Sequence, residues 1–361
     1  MNRYIPLLLL CLLSFTGCGR DAAQLTVVTG IGVDGFPGQY QVAAEVIRLT
    51  EASQSSQSTY LNGDGLTVTG SINRMGSKTG RTLYCNHTQV LMVSRDTAEE
   101  GLNELLEELL RGNQYPISLR MAVCKDSAAK ALQAKPIVSE LHSVELEDII
   151  REGSKQCLTP DMDICSFYQE VSTPGIEGIL PFFSLQENNK EQVCALSGTA
   201  LFQGERMLSV LNEIDSQSLM WMRGKSGGTL VTEHAVFEVE QVERKMVATP
   251  EGGSLHLKLT LKASDDEVNK ETLMAEAKNV MEAQCMSLLR RLQELQCDAV
   301  GFGNHLYQRQ PDAWEELQGQ WPQRFSDYPL QVEVTVKNMV WGRIWSTDNE
   351  QEMKGSAHDA Q

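Results

Sequence analysis

The sequence predicts an α+β protein of more than one domain, with mixed α/β content, mainly antiparallel sheets and one long helix in the C-terminal half. Three observations lead there. Short β-rich runs bounded by glycine, proline and polar clusters recur through both halves, and the run 255–261 alternates as L-H-L-K-L-T-L. Apolar residues at 273, 274, 277, 280, 281, 288, 292 and 295 keep a helical period across 268–297, with Gly301 beyond the end. The length of 361 residues exceeds one domain of ordinary size.

Taken in order, the chain starts with Asn2-Arg3, an apolar run over 5–13, and Phe15-Thr16-Gly17-Cys18. A basic residue, a short apolar run and small residues before a cysteine resemble a bacterial lipoprotein signal. That reading removes residues 1–17 by cleavage after Gly17 and places S-diacylglyceryl and N-acyl groups on Cys18. The run is shorter than the roughly 20 residues of a membrane span. Behind it, 25–29 and 40–46 read as two strands of a hairpin joined through Gly30, Gly32, Gly35 and Pro37-Gly38. Residues 51–58 read as a polar surface loop. A helix begins at Thr97, with Glu100 completing a capping box, leucines at 102, 105, 106 and 109, and Gly112 past its end. Strands at 90–93 and 119–123 flank it. The polar stretch 186–191 reads as a linker, giving an N-terminal α/β region over 18–190, with room for two subdomains, and a C-terminal α/β domain over 191–345. Within the latter, 196–202, 206–211, 235–242, 255–261 and 330–340 have strand character, and 346–361 reads as a polar tail.

Charge and cysteine content narrow the function. The chain carries −17, and losing Arg3 with the leader takes it to −18. Nucleic acid is a poor partner, because phosphate binding needs clustered Lys and Arg. Attachment to an anionic membrane would have to come from lipid on Cys18 rather than from charge. Beyond Cys11 and Cys18, seven cysteines remain: 85, 124, 157, 165, 194, 285 and 297. Their odd number and spacing fit no zinc or disulfide framework, so they read mainly as small buried apolar residues, with one disulfide left open.

Several motifs suggest chemistry and fail on context. Gly30, Gly32 and Gly35 satisfy G-x-G-x-x-G, but Pro37-Gly38 and an alternating run follow where a dinucleotide fold needs a helix. Gly224, Ser226 and Gly228 match G-x-S-x-G, but a further strand follows where a nucleophile elbow needs a helix. The histidines at 87, 142, 234, 256, 305 and 358 offer no H-E-x-x-H pair. Acidic residues at 265–267 and at Glu104, Glu107 and Glu108 read as solvated helix faces and first turns. No catalytic, cofactor or metal residues are assigned, and the chain reads as a non-enzyme.

The succession of segments resembles the Ger(x)C family, the C-subunit lipoproteins of spore germinant receptors. The resemblance rests on the cysteine at 18; Val27-Val28-Thr29-Gly30-Ile31-Gly32-Val33-Asp34; Gly80-Arg81-Thr82-Leu83; and Pro174-Gly175-Ile176-Glu177-Gly178-Ile179-Leu180-Pro181. It continues through Gly198-Thr199-Ala200-Leu201-Phe202, Asp298-Ala299-Val300-Gly301-Phe302-Gly303, and Trp314, Trp321 and Phe325. Two places depart from the family pattern: Gly19-Arg20-Asp21-Ala22-Ala23 lacks the usual tryptophan, and Cys85-Asn86 precedes His87. The resemblance implies several α/β domains without catalytic machinery, tethered to the outer face of the spore inner membrane beside two integral membrane subunits, A and B. A lipid-anchored solute-binding protein is the alternative with the same address.

Overall fold

A computed structural model describes residues 25–47, 58–188, 190–263 and 269–341. The leader, Cys18, the acidic run 265–267 and the segment 346–361 lie outside the described residues. The first half is built on one sheet. β1 (Leu25–Phe36) and β2 (Gln39–Ile47) form the expected hairpin, and β3 (Ser58–Gly65) extends it. β4 (Thr82–Tyr84) and β5 (Val90–Ser94) lie parallel to β1, followed by β6 (Arg120–Cys124) and β7 (Ile179–Asn188), also parallel. β8 (Glu191–Gln203) and β9 (Arg206–Leu211) complete it antiparallel. The order is β3-β2-β1-β5-β6-β7-β8-β9, with β4 also on β1.

Both faces of this sheet are covered, so its middle strands are apolar on both sides. Leu91, Val93, Met121 and Val123 face one core with helices α1 (Val68–Thr79), α3 (Asn103–Arg111) and α6 (Ile164–Ser172). Their neighbours Val90, Met92, Ala122 and Cys124 face a second core with α4 (Ala128–Leu132) and α5 (His142–Lys155). The period-two alternation thus divides β5 and β6 between two layers of helices.

The second sheet has the order β10 (Thr229–Val231), β11 (Val236–Thr249), β12 (Gly252–Ala263) and β13 (Leu330–Trp341). One face packs on α8 (Lys270–Glu294), the expected long helix, which Asn269 caps at its start. Leu273, Ala277, Met281, Cys285, Leu288, Leu289 and Leu292 of α8 meet Leu255, Leu257, Leu259 and Leu261 in the third core. The other face is polar and cross-linked by Lys262–Glu238 and Lys337–Glu243. β13 lies at an edge, where Glu282 accepts from Val334 N (2.8 Å) and Lys270 donates to Met339 O (2.7 Å).

Antiparallel pairing predominates as expected, through β1–β2–β3, β7–β8–β9 and β10–β11–β12, but both sheets are mixed: β1, β5, β6 and β7 run parallel, and β12–β13 is parallel too. Three expectations need correction. The stretch 186–191 is no linker: Asn188 pairs with Glu191 in a hairpin, and β8 and β9 continue the first sheet to Leu211. The helix read from Thr97 is two. Ser94 caps α2 (Arg95–Glu100), accepting from Thr97 N, and Gly101 ends it before α3 begins. The hydroxyl of Thr97 instead donates to Gly35 O at 2.8 Å. Finally, Gly30 and Gly32 belong to β1, and the turn is Pro37-Gly38 alone. A Cβ on Gly30 would stand 2.8 Å from Leu132 and Ser143, and one on Gly32 would stand 2.7 Å from Ala128 O. Those glycines let α4 and α5 lie against the strand.

Candidate functional site

Carboxylates fasten the first half. Asp34 at the end of β1 accepts from Ala128 N (2.7 Å), Ala129 N (3.0 Å) and Ser127 Oγ (2.9 Å), capping α4. Glu45 of β2, fully buried, accepts from His142 N and Ser143 N at 2.9 Å each, capping α5, and from Thr29 Oγ1 and Tyr60 OH. Glu108 accepts from Val68 N and Thr69 N, capping α1, so this member of the acidic group is a structural cap. Glu145 gathers Ile137 N, Val138 N and Ser139 N within 2.7–3.0 Å. Burial pushes its carboxyl up, but the three N–H groups outweigh burial and hold it below the ordinary range.

The two halves meet in a clasp. α6 is followed by Pro174-Gly175-Ile176-Glu177, and α8 by Asp298-Ala299-Val300-Gly301, which leads into α9 (Phe302–Arg309). Glu177 N donates to Asp298 O (3.2 Å), and Asn304 N donates to Gly175 O (2.6 Å). Asp298 is buried and turns its carboxylate inward, accepting from Gly301 N, Phe302 N, Gly303 N and the Trp321 indole at 2.7–3.1 Å. Trp321 stacks edge-on with Trp314 and Tyr328 and packs on Phe325, so the closing aromatic residues serve the same loop. Arg223, at the C-terminal end of α7 (Glu213–Met222), pairs with Glu170 and donates to Ala299 O (2.7 Å) and Glu177 O (3.0 Å). Arg244 of β11 donates to Val300 O. From the third side, Phe202 N donates to Gly178 O, and Cys297 Sγ donates to Phe202 O.

Burial pushes both carboxyls of the clasp upward. Glu177, whose oxygen accepts from Gly204 N and which faces Asp298, is pushed up to about 7. On Asp298 the four donors oppose the rise without reversing it.

A further feature surrounds the point where the described chain begins, at the end of the first sheet where the parallel strands β1, β5 and β6 start. Leu25 pairs with Thr82, and Val27 with Ile47. A cavity of about 430 Å³ opens there between Val27, Ile47, Pro116, Ser118, Leu141 and Val144. Arg120 on its wall is held by Glu147 (2.7 Å) and by both oxygens of Asp161.

The motifs set aside on sequence grounds have structural uses. Ser226 Oγ accepts from Val242 N at 3.0 Å, tying a loop to β11. His142 Nδ1 lies 2.9 Å from Leu132 O, His234 pairs with Glu276, and His256 with Glu333; His358 lies outside the described residues. Among the described residues no group of three or more His, Cys, Asp or Glu is arranged to hold a metal. All seven described cysteines are free thiols; six are buried, and burial pushes Cys85, Cys157 and Cys285 up to about 12. Sequence reasoning missed the roles of Glu45, Glu108, Glu145 and Arg223, although Glu177 and Asp298 stood inside the segments that carried the resemblance.

Comparison with known proteins places this architecture. The spore germination protein N-terminal domain family matches residues 19–185, and the spore germination B3/GerAC-like C-terminal family matches residues 197–338. The chain belongs to the Ger(x)C family of spore germination proteins. The two matches change over across the β7–β8 hairpin. Relatives of Bacillus subtilis (strain 168) include spore germination protein YndF, 21% identical over 81% of this chain and 78% of the relative. Spore germination protein KC is 19% identical over 91% of this chain and 93% of its own. Spore germination protein B3 is 20% identical over 92% and 96%. The crystal structure of the GerBC protein superposes with a TM-score of 0.54 at 15% identity, covering 83% of this chain and 93% of that one, and so shares the fold. Every clasp segment named above lies within the two family matches.

Proposed function

We propose that this chain is a non-catalytic, lipid-anchored subunit of a spore germinant receptor, held by Cys18 at the outer face of the spore inner membrane and assembled there with two integral membrane subunits. The observation that carries the reading is the family match beginning at residue 19, directly behind a lipoprotein-type leader that ends in Cys18. No helix among the described residues is long and apolar enough to cross a membrane. Anchoring confines the body to a thin layer and raises its effective concentration toward the partners, so that modest contacts suffice. Nutrient binding would shift the assembly between states, and this subunit would stabilise one through contacts that differ between them. The alternative, a solute-binding protein, would close two domains on a ligand. The clasp and the shared β7–β8 hairpin leave the halves no free hinge, which weighs against it.

The test is a tagged copy recovered from spore membranes in mild detergent. Mass spectrometry should find diacylglyceryl on Cys18, no residues 1–17, and two co-purifying integral membrane proteins. Cys18→Ala should lose both the partners and nutrient-triggered germination. A Cys18→Ala strain that germinates normally with its protein still membrane-bound would overturn the anchor.

A further inference from the structure

The end of the molecule where β1 begins carries an unusual pair of loops. Ile137 and Val138, between α4 and α5, are 64% and 90% exposed, and Ile117, between α3 and β6, is 71% exposed. The loops share one rim. Pro116 and Ser118, on either side of Ile117, line the same cavity as Leu141 and Val144 at the start of α5 and as Val27 and Ile47. Residues 137–139 are tied to that same first turn of α5 through Glu145, which accepts all three of their N–H groups. Three branched aliphatic residues stand in solvent, at a cost the chain could avoid with polar ones.

Their position says what covers them. Only residues 19–24 separate Cys18 from Leu25, and a fully extended chain spans at most about 3.6 Å per residue, or roughly 25 Å over this stretch. The rim around Leu25 is thus held within about 25 Å of any bilayer that holds Cys18. Val138, the most exposed of the three, sits beside exposed Ile137 on one loop, a short apolar stretch suited to insertion among lipid headgroups. The charges at the cavity are balanced, with Arg120 on its wall paired to Glu147 and Asp161, so electrostatics does not select the surface. We infer that Ile117, Ile137 and Val138 form a second membrane contact, dipping into the interfacial layer of the bilayer and fixing the tilt of the body above it. This rests on the lipid-anchor reading. The several acyl chains on Cys18 would supply stable attachment, and the rim contact would set the orientation of the attached body.

The mature lipidated chain, purified in detergent and reconstituted into phosphatidylcholine vesicles, provides the test. Val138→Trp and Ile137→Trp report on the rim. Leu66→Trp is the control: Leu66 O accepts from Gly38 N in the turn at the far end of β1, a 12-residue strand roughly 35–40 Å long. All three positions are exposed, so the substitutions leave the cores intact. With bromine on the acyl chains about 5–10 Å below the headgroups, the added emission of Val138→Trp should fall by about half or more, while that of Leu66→Trp should not change. Vesicle-bound protein in which the two variants are quenched alike overturns the contact and leaves the anchor standing. Shielding of Val138→Trp only in native spore membranes assigns the loops to a protein partner and also overturns it. Protein that fails to float with vesicles at all overturns the anchor, and the inference with it.

Discussion

Glu177 shows how one side chain couples the clasp to solution conditions. Its partner is a single backbone N–H, on Gly204, and Asp298 stands nearby with the same sign of charge. Arg223 donates to the Glu177 carbonyl rather than to its carboxylate, and Arg244 donates to Val300 O, so neither cation neutralises it directly. A carboxyl raised to about 7 in the folded chain keeps a proton that the unfolded chain releases near 4.5. Its contribution is therefore fullest below about 4.5 and is lost progressively as pH rises to about 7, a span worth on the order of 3 kcal/mol. Glu177→Gln keeps an acceptor for Gly204 and removes the titration. Thermal unfolding of the variant should be higher than that of the parent at pH 8 and equal to it near pH 4.5; parallel curves for the two chains across this range would refute the assignment.

At the scale of elements, the clasp depends on a close crossing of two loops. Gly175 has φ +73°, and a Cβ there would stand 2.2 Å from the carbonyl carbon of Gly303. Gly175→Val should cost about 3 kcal/mol or more, and hydrogen exchange should quicken together in 175–178 and 298–304 while β5 and β6 stay protected. Uniform quickening across the chain would instead mean global loss of structure. How much of this was legible varies with the element. The strand at 90–93 announced itself as a continuous apolar run, and 119–123 did so apart from Arg120 near its start, because both sheet faces are covered. The long helix was plain from its period, and so was β12. By contrast, α1 contains Gly70 and Gly76, weak helix formers, and stands because Glu108, forty residues on, caps it and because Gly76 lets Arg81 approach, a Cβ there falling 2.7 Å from Arg81 O. β3 is polar and holds as an edge partner of β2 and by packing on α1, where Gly63 lies against Met75. The clasp joins residues more than a hundred positions apart, so its segments could be seen in the sequence but their meeting could not.

At the scale of the whole molecule, the polar stretch 186–191 misled because a solvent-exposed hairpin tip and a linker share a composition. The first sheet needs β8 and β9 to cover the edge of β7. A fragment ending at residue 190 would leave β7 as an apolar edge, a template for association. We expect a fragment of 25–190 to aggregate or stay partly unfolded, and one extended through residue 211 to gain cooperative unfolding; size-exclusion chromatography and circular dichroism decide between them. A well-folded monomer from 25–190 would mean that the hairpin is an appendage. Proteins fastened to a membrane also face a hazard of their own. Confinement to two dimensions brings copies side by side in fixed orientation, where a long bare strand would invite its neighbour to zip alongside. β13 is such a strand, and the side chains of Glu282 and Lys270 already occupy an amide and a carbonyl along it. If the chain is anchored as proposed, the long helix would act as a guard rail, keeping neighbouring copies from pairing edge to edge through β13.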